Sequence, residues 1–168
     1  MTGAPRQESL RPMRWQDMGA VLAVERASYP QTAWSEATWW AELAARPRRI
    51  YLVCTQDAAG EAGELLGYAG LDVGGEEADV MTITVDPARR GGGIGTTLLL
   101  GLHEHAIARG VRRIVLEVRA DNERAQHLYA RHGYEAISRR RGYYQPEGVD
   151  AIVLRAHLAH QGDHETGA

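Results

Sequence analysis

The stretch that most restricts this chain is Arg90-Gly91-Gly92-Gly93-Ile94-Gly95-Thr96, which lies between an extended apolar run and an apolar helix. Before it, Asp79 to Val85 reads as a strand that stops at Asp86-Pro87. After it, Ile94 to Arg109 reads as a helix closed by Gly110. The first turn of a helix carries unpaired N–H groups and a partial positive charge, and both attract phosphate. Glycines at 91, 92, 93 and 95 let the backbone approach an anion closely, because no Cβ stands in the way. The unit is therefore a candidate phosphate cradle, with Arg89 and Arg90 at its mouth. The same glycines can also be read as a plain turn in a chain that holds 19 Gly.

Two familiar phosphate binders are disfavoured or excluded. A dinucleotide fold wants another glycine where Thr96 stands, and it places the loop after the first strand, whereas several strands precede this one. A P-loop needs Gly-Lys-Ser/Thr, and all 19 basic residues here are Arg. The missing Lys also excludes Schiff-base chemistry on that side chain.

Elsewhere the pattern predicts strands over Glu8–Arg11, Ile50–Thr55, Leu65–Val73, Ile114–Val118, Tyr134–Ser138 and Ala151–Leu154. Helices are predicted over Trp15–Ala27, from an N-cap at Ser35 through Ala45, and over Glu123–His132 with Gly133 as its stop. Asp57–Glu64 and Gly74–Ala78 read as turns, and Arg139–Arg141 as a solvated loop. Strand–helix–strand segments around the Gly loop imply a right-handed crossover and a parallel pair, while the earlier hairpins are antiparallel. The expected fold is one α/β domain over residues 8–158: a mixed, mostly antiparallel sheet with a central parallel pair and helices on both faces. Residues 1–7 and 159–168 are expected to be disordered tails.

Composition narrows the function classes. A chain of 168 residues that is 44% apolar suits one globular domain burying roughly two-thirds of its unfolded surface. A net charge of -3 supplies no field to recruit nucleic acid or an anionic membrane, so neither is an expected partner. No apolar run nears the roughly 20 residues of a membrane span, and Met1–Arg14 lacks a signal peptide's apolar centre. With one cysteine, Cys54, no internal disulfide is available. These features lead us to expect a cytoplasmic monomer or weak dimer. His103 and His105 lie two apart on a helix and cannot share a metal, so no metal site is expected.

Ile83-Thr84-Val85-Asp86-Pro87 followed by Arg90-x-x-Gly93-x-Gly95 resembles the acyl-CoA-binding signature of the GNAT acetyltransferases. Leu116-Glu117-Val118-Arg119-x-Asp121-Asn122-x-x-Ala125-x-x-Leu128-Tyr129-x-x-x-Gly133-Tyr134, then Arg140-x-x-Tyr143-Tyr144, resembles the branch of that family that acetylates the N-terminal alanine of a ribosomal protein. The Trp34-Ser35 pair resembles the same branch's helix start, and the likeness spans roughly Arg11 to Leu154. It implies acetyl-CoA as cosubstrate, its diphosphate held by the amides of Arg90, Gly91, Gly92, Gly93, Ile94, Gly95 and Thr96. It also implies that Ile83, Thr84 and Val85 lie along the pantetheine arm and that Asn122 touches the cofactor, a role compatible with capping the next helix. Glu117 is implied as proton acceptor and Tyr129 as proton donor to the thiolate, and the 139–144 segment as a substrate-binding hairpin. Two departures stand out: glycines at 91 and 92 where relatives carry bulkier residues, and Tyr134 in place of Phe.

Read without the resemblance, Glu117 and Val115 face away from Ile114, Leu116 and Val118 on their strand. That position suits either a solvated carboxylate or a partly desolvated base. Tyr129 lies on an apolar helical stripe, which by itself predicts packing. An α-amino group near pH 8 needs about 3 kcal/mol less deprotonation work than a lysine near 10.4, so one carboxylate suffices as base for a protein N-terminus. The expected activity is transfer of acetyl to such an amine. A lysine side chain, a small-molecule amine, or a sensor that binds acetyl-CoA without turnover are the alternatives.

Overall fold

A computed structural model describes residues 7–58 and 61–159, so 1–6 and 160–168 of the expected tails fall outside the described residues, whereas Gln7, expected in a tail, begins the first strand opposite Asp57. Seven strands form a mostly antiparallel sheet in the order β1-β2-β3-β4-β5-β7-β6. In chain order these are β1 (Gln7–Pro12), β2 (Arg49–Ala58), β3 (Glu61–Gly74), β4 (Glu77–Val85), β5 (Arg113–Arg119), β6 (Glu135–Tyr144) and β7 (Val149–His157). The helices are α1 (Met18–Ser28), α2 (Glu36–Ala44), α3 (Ile94–Ile107) and α4 (Glu123–Arg131). The expected parallel pair is β4 with β5, in register from Glu77–Arg113 to Asp79–Val115. By contact density the chain separates into two compact units, one running to Leu71 and including Met81–Leu102, the other made of Asp72–Val80 and the chain from His103 onward.

In the first unit, β1 runs antiparallel to β2, with Gln7 opposite Asp57 and Pro12 opposite Leu52. Its core gathers Met13, Met18, Val21, Leu22, Trp39, Tyr51, Val53, Leu65 and Tyr68. Trp39 is fully buried, with Tyr51 and Tyr68 edge-on at 5.3 and 5.1 Å. Aromatic pairs in this geometry add to the area they bury. Ser35 caps α2 as expected, its hydroxyl accepting the Thr38 N–H at 3.1 Å. Cys54 is a core residue whose thiol is pushed up to about 11 by burial and then by the charge of Glu8. Leu66, Tyr68, Leu71, Leu98 and Leu99 are also buried here.

In the second unit, β5 pairs with β7 from Arg113–His157 to Arg119–Ala151. Ile114, Leu116 and Val118 are buried on one face of β5, while 113, 115, 117 and 119 are half-exposed, which is the alternation read from the sequence.

Three expectations are corrected. The first helix opens with a 3-10 turn at Trp15–Asp17, because Asp17 takes the Arg14 N–H at 2.7 Å and both guanidinium arms of Arg11. Of the predicted turn over Asp57–Glu64, both flanks are strand, since β2 reaches Ala58 and β3 starts at Glu61; Asp57 is held opposite Gln7 of β1, a pairing that composition does not show. Finally, Arg139–Arg141 belong to β6 rather than to a loop. That strand ends the sheet and is exposed along most of its length, so it lacks the apolar alternation that marks a half-buried strand.

Candidate active site

The Gly loop belongs to the first unit. β4 ends at Val85, and the Asp86 carboxylate accepts the Ala88 N–H at 2.9 Å to set a 3-10 turn over Pro87–Arg89. Gly91 and Gly93 follow with φ of 96° and 85°, values that side-chain-bearing residues rarely adopt. Residues 91, 92 and 93 are exposed, whereas Ile94 is buried and anchors the start of α3. The first bond within α3 runs from the Thr97 N–H to the Gly93 carbonyl at 3.0 Å. The N–H groups of Ile94, Gly95 and Thr96 therefore lie in the first turn, where a helix supplies no acceptor of its own.

Two details near the loop differ from expectation. Arg89, placed at the mouth, gives its guanidinium to Glu64 at 2.6 Å. Arg90 is exposed and among the described residues has no carboxylate partner. Thr84 is turned inward: its hydroxyl meets Tyr29 at 3.0 Å and Thr82 at 3.1 Å, and it is almost fully buried. Its side chain is thus committed to the fold, while Ile83 and Val85 are half-buried.

The remaining expected residues lie in the second unit. Glu117 projects from the half-exposed face of β5, and its Oε1 is 3.2 Å from Nη1 of Arg140 on β6. The carboxylate side chain keeps 29% exposure, so it is partly shielded from water and has a guanidinium beside it. Asn122 caps α4, its Oδ1 accepting the Ala125 N–H at 3.1 Å. Tyr129, on α4, is buried with its ring 5.4 Å from that of Tyr134. The Tyr134 hydroxyl lies 2.8 Å from Nε2 of His103 on α3. Burial, and secondarily the nearby His132, pulls the imidazole down to about 4, so it is neutral at physiological pH.

Sequence reasoning missed three of these relations. His103 was weighed only as a metal ligand, yet it serves Tyr134; the Tyr at a position where relatives carry Phe was the available signal. Arg140 was assigned to a loop, so its partner could not be foreseen. Glu25 on α1, which no motif singles out, is 3% exposed and accepts from the Trp34 N–H at 2.8 Å and from the Tyr68 hydroxyl. Among the described residues no three His, Cys, Asp or Glu side chains cluster as a metal site, and no helix is long and apolar enough to cross a membrane.

Residues 10–134, covering the Gly loop, Glu117, Asn122 and Tyr129, match the model of the acetyltransferase (GNAT) family. The chain belongs to the GNAT acetyltransferases. It is an acyltransferase of a family that uses acetyl-CoA. This GNAT chain is 40% identical over 126 residues to the N-alpha-acetyltransferase RimI of Mycobacterium tuberculosis, covering 73% of this chain and 74% of the relative. It is 33% identical over 140 residues to the ribosomal protein bS18-alanine N-acetyltransferase of Escherichia coli, covering 82% and 89%. The crystal structure of the Escherichia coli ribosomal-protein-S18-alanine N-acetyltransferase superposes with a TM-score of 0.81 at 28% identity, over 94% of this chain and 98% of that one.

Proposed function

We propose that this acetyltransferase moves an acetyl group from acetyl-CoA to a protein N-terminal amine, foremost the N-terminal alanine of a small-subunit ribosomal protein in the cytoplasm. The observation that carries the reading is that relatives at 40% and 33% identity, matched over most of both chains, have an Nα-acetyltransferase activity, in one case on ribosomal protein bS18. The reading assigns the base to Glu117, the acid to Tyr129 and the diphosphate to the glycine-built helix start.

The loop fits a diphosphate. Gly91 and Gly93 hold their positive φ angles at an exposed helix start, and a Cβ built on Gly93 meets nothing within 4 Å, so the backbone there is open. The amides of Arg90, Gly91, Gly92, Gly93, Ile94, Gly95 and Thr96 would hold the anion, with Arg90 adding an exposed positive charge. Ile83, Thr84 and Val85 would offer backbone groups to the pantetheine arm, since the Thr84 side chain is engaged elsewhere. Asn122 caps its helix through Oδ1, which leaves its amide nitrogen for the cofactor.

Acetyl-CoA supplies an activated acetyl thioester when bound. Glu117, directly or through one water, takes the proton that the arriving ammonium must shed. The neutral amine then forms the C–N bond as the C–S bond breaks; Tyr129 gives its hydroxyl proton to the departing sulfur, and the proton that the new amide nitrogen sheds returns to the phenolate through solvent. Tyrosine suits that task because it stays protonated near pH 7.

Thiol release from acetyl-CoA tests the assignment with three acceptors: an alanine-starting peptide, the same peptide with a blocked N-terminus and an internal lysine, and a small polyamine. Turnover confined to the free peptide is expected. Equal turnover on the blocked peptide would move the acceptor to lysine side chains, turnover on the polyamine to a small amine. Tight acetyl-CoA binding without turnover on any of them would make the protein a sensor.

A further inference from the structure

The three arginines of Arg139-Arg140-Arg141 are equivalent in the sequence, yet the sheet treats them differently. Across the antiparallel pairs Glu117 faces Val153, and Val153 faces Ser138; one row further on, Arg119 faces Ala151, and Ala151 faces Arg140. Residues directly opposite one another project on the same side of a sheet, and so do residues two apart on a strand. Arg140 therefore shares the face of Glu117. It does so only because β6 carries an extra residue: the register passes from Ala136–Leu154 to Ser138–Val153. Without that bulge Arg139 would stand opposite Ala151, and Arg140 would move to the other face. The bulge selects which arginine looks at the carboxylate.

Its neighbours reinforce the choice. Arg139 is held elsewhere, with Nε on Asp150 Oδ2 at 2.6 Å. Asp150 Oδ1 also accepts the Gly142 N–H at 2.8 Å, fixing the second irregularity of β6. On β7 Arg140 stands opposite Ala151 and Glu117 opposite Val153, so the long side chain crosses the strand diagonally, with only a methyl at its own row. Tyr143 supports the guanidinium from 5.3 Å. The guanidinium's nearest approach is to Oε1, and among the described residues Glu117 has no other partner to compete for its carboxylate. With the Arg140 side chain 55% exposed, the pair adds little to stability.

We infer that Arg140 is a positioning residue for Glu117: it pins one carboxylate oxygen and leaves the other aimed at the incoming ammonium. This rests on the reading of Glu117 as proton acceptor. A guanidinium suits the role because it never releases a proton of its own to the base.

The experiment is a double-mutant cycle on the full chain, assayed with acetyl-CoA and an alanine-starting peptide. Arg140→Gln is expected to lower kcat about tenfold, while KM for the peptide and the affinity for acetyl-CoA stay within about twofold. Arg140→Lys is expected to restore part of the loss. In a Glu117→Gln background, Arg140→Gln should cost nothing more. Three results would overturn the inference while leaving Glu117 as base: unchanged kcat in Arg140→Gln, a raised peptide KM at normal kcat, or losses that multiply in the double variant. Full activity in Glu117→Gln alone would remove the base assignment, and the positioning role with it.

Discussion

The imidazole of His103 and the hydroxyl of Tyr134 meet at 2.8 Å, joining α3 to the segment that follows α4. Tyr134 is 5% exposed, and its phenol is pushed up by burial and then by Tyr129. Tyr134→Phe keeps the ring but leaves a largely buried imidazole nitrogen without its partner, a loss of about 1–3 kcal/mol. Urea denaturation at neutral pH should show that loss.

The same pair predicts an acid sensitivity. The folded-state pKa of His103 is about 4, below its ordinary 6.5, so between those values the unfolded chain binds a proton that the folded chain does not. Stability from this residue is complete above pH 6.5 and drains away as pH falls toward 4. Discounted for partial exposure, the contribution is on the order of 1–2 kcal/mol. His103→Leu should flatten that part of the stability–pH curve, and an unchanged slope would place the sensitivity elsewhere.

Proton transfer and folding separate in two substitutions. Glu117→Gln and Tyr129→Phe are each expected to lower kcat/KM by about a hundredfold, while calorimetry shows acetyl-CoA binding nearly as in the parent. Collapse of cofactor affinity in Glu117→Gln would make that residue structural.

Gly93 tests the loop. At φ 85° any side chain costs roughly 1–2 kcal/mol of backbone strain, although a Cβ there meets no neighbour. Gly93→Ala is therefore expected to weaken acetyl-CoA binding about tenfold by bending the amides away, with the melting temperature lowered by only a few degrees.

Glu25 is a structural counterpart. Its buried carboxylate gathers the Trp34 N–H and the Tyr68 hydroxyl, and burial followed by that hydrogen bond holds the phenol far above its usual range. Glu25→Ala strands both donors and is expected to cost roughly 2–4 kcal/mol, read as a fall in the urea midpoint.

Local rules carried a good deal of this protein. Ser35 and Asn122 cap α2 and α4, Gly110 and Gly133 follow α3 and α4 with positive φ, and β5 buries alternate residues, because caps, turns and periodicity act over a few neighbours. The Gly loop and the order of Glu117, Asn122 and Tyr129 could be read for the same reason: each motif is contiguous. What the linear chain left open depends on partners far away in it. Arg140 meets Glu117 through a one-residue register shift against β7, His103 meets Tyr134 across 31 positions, and Tyr68 reaches Glu25 across 43. Such pairings follow from how strands align and helices pack, and a bulge that turns a side chain to the opposite face leaves no mark in composition or spacing.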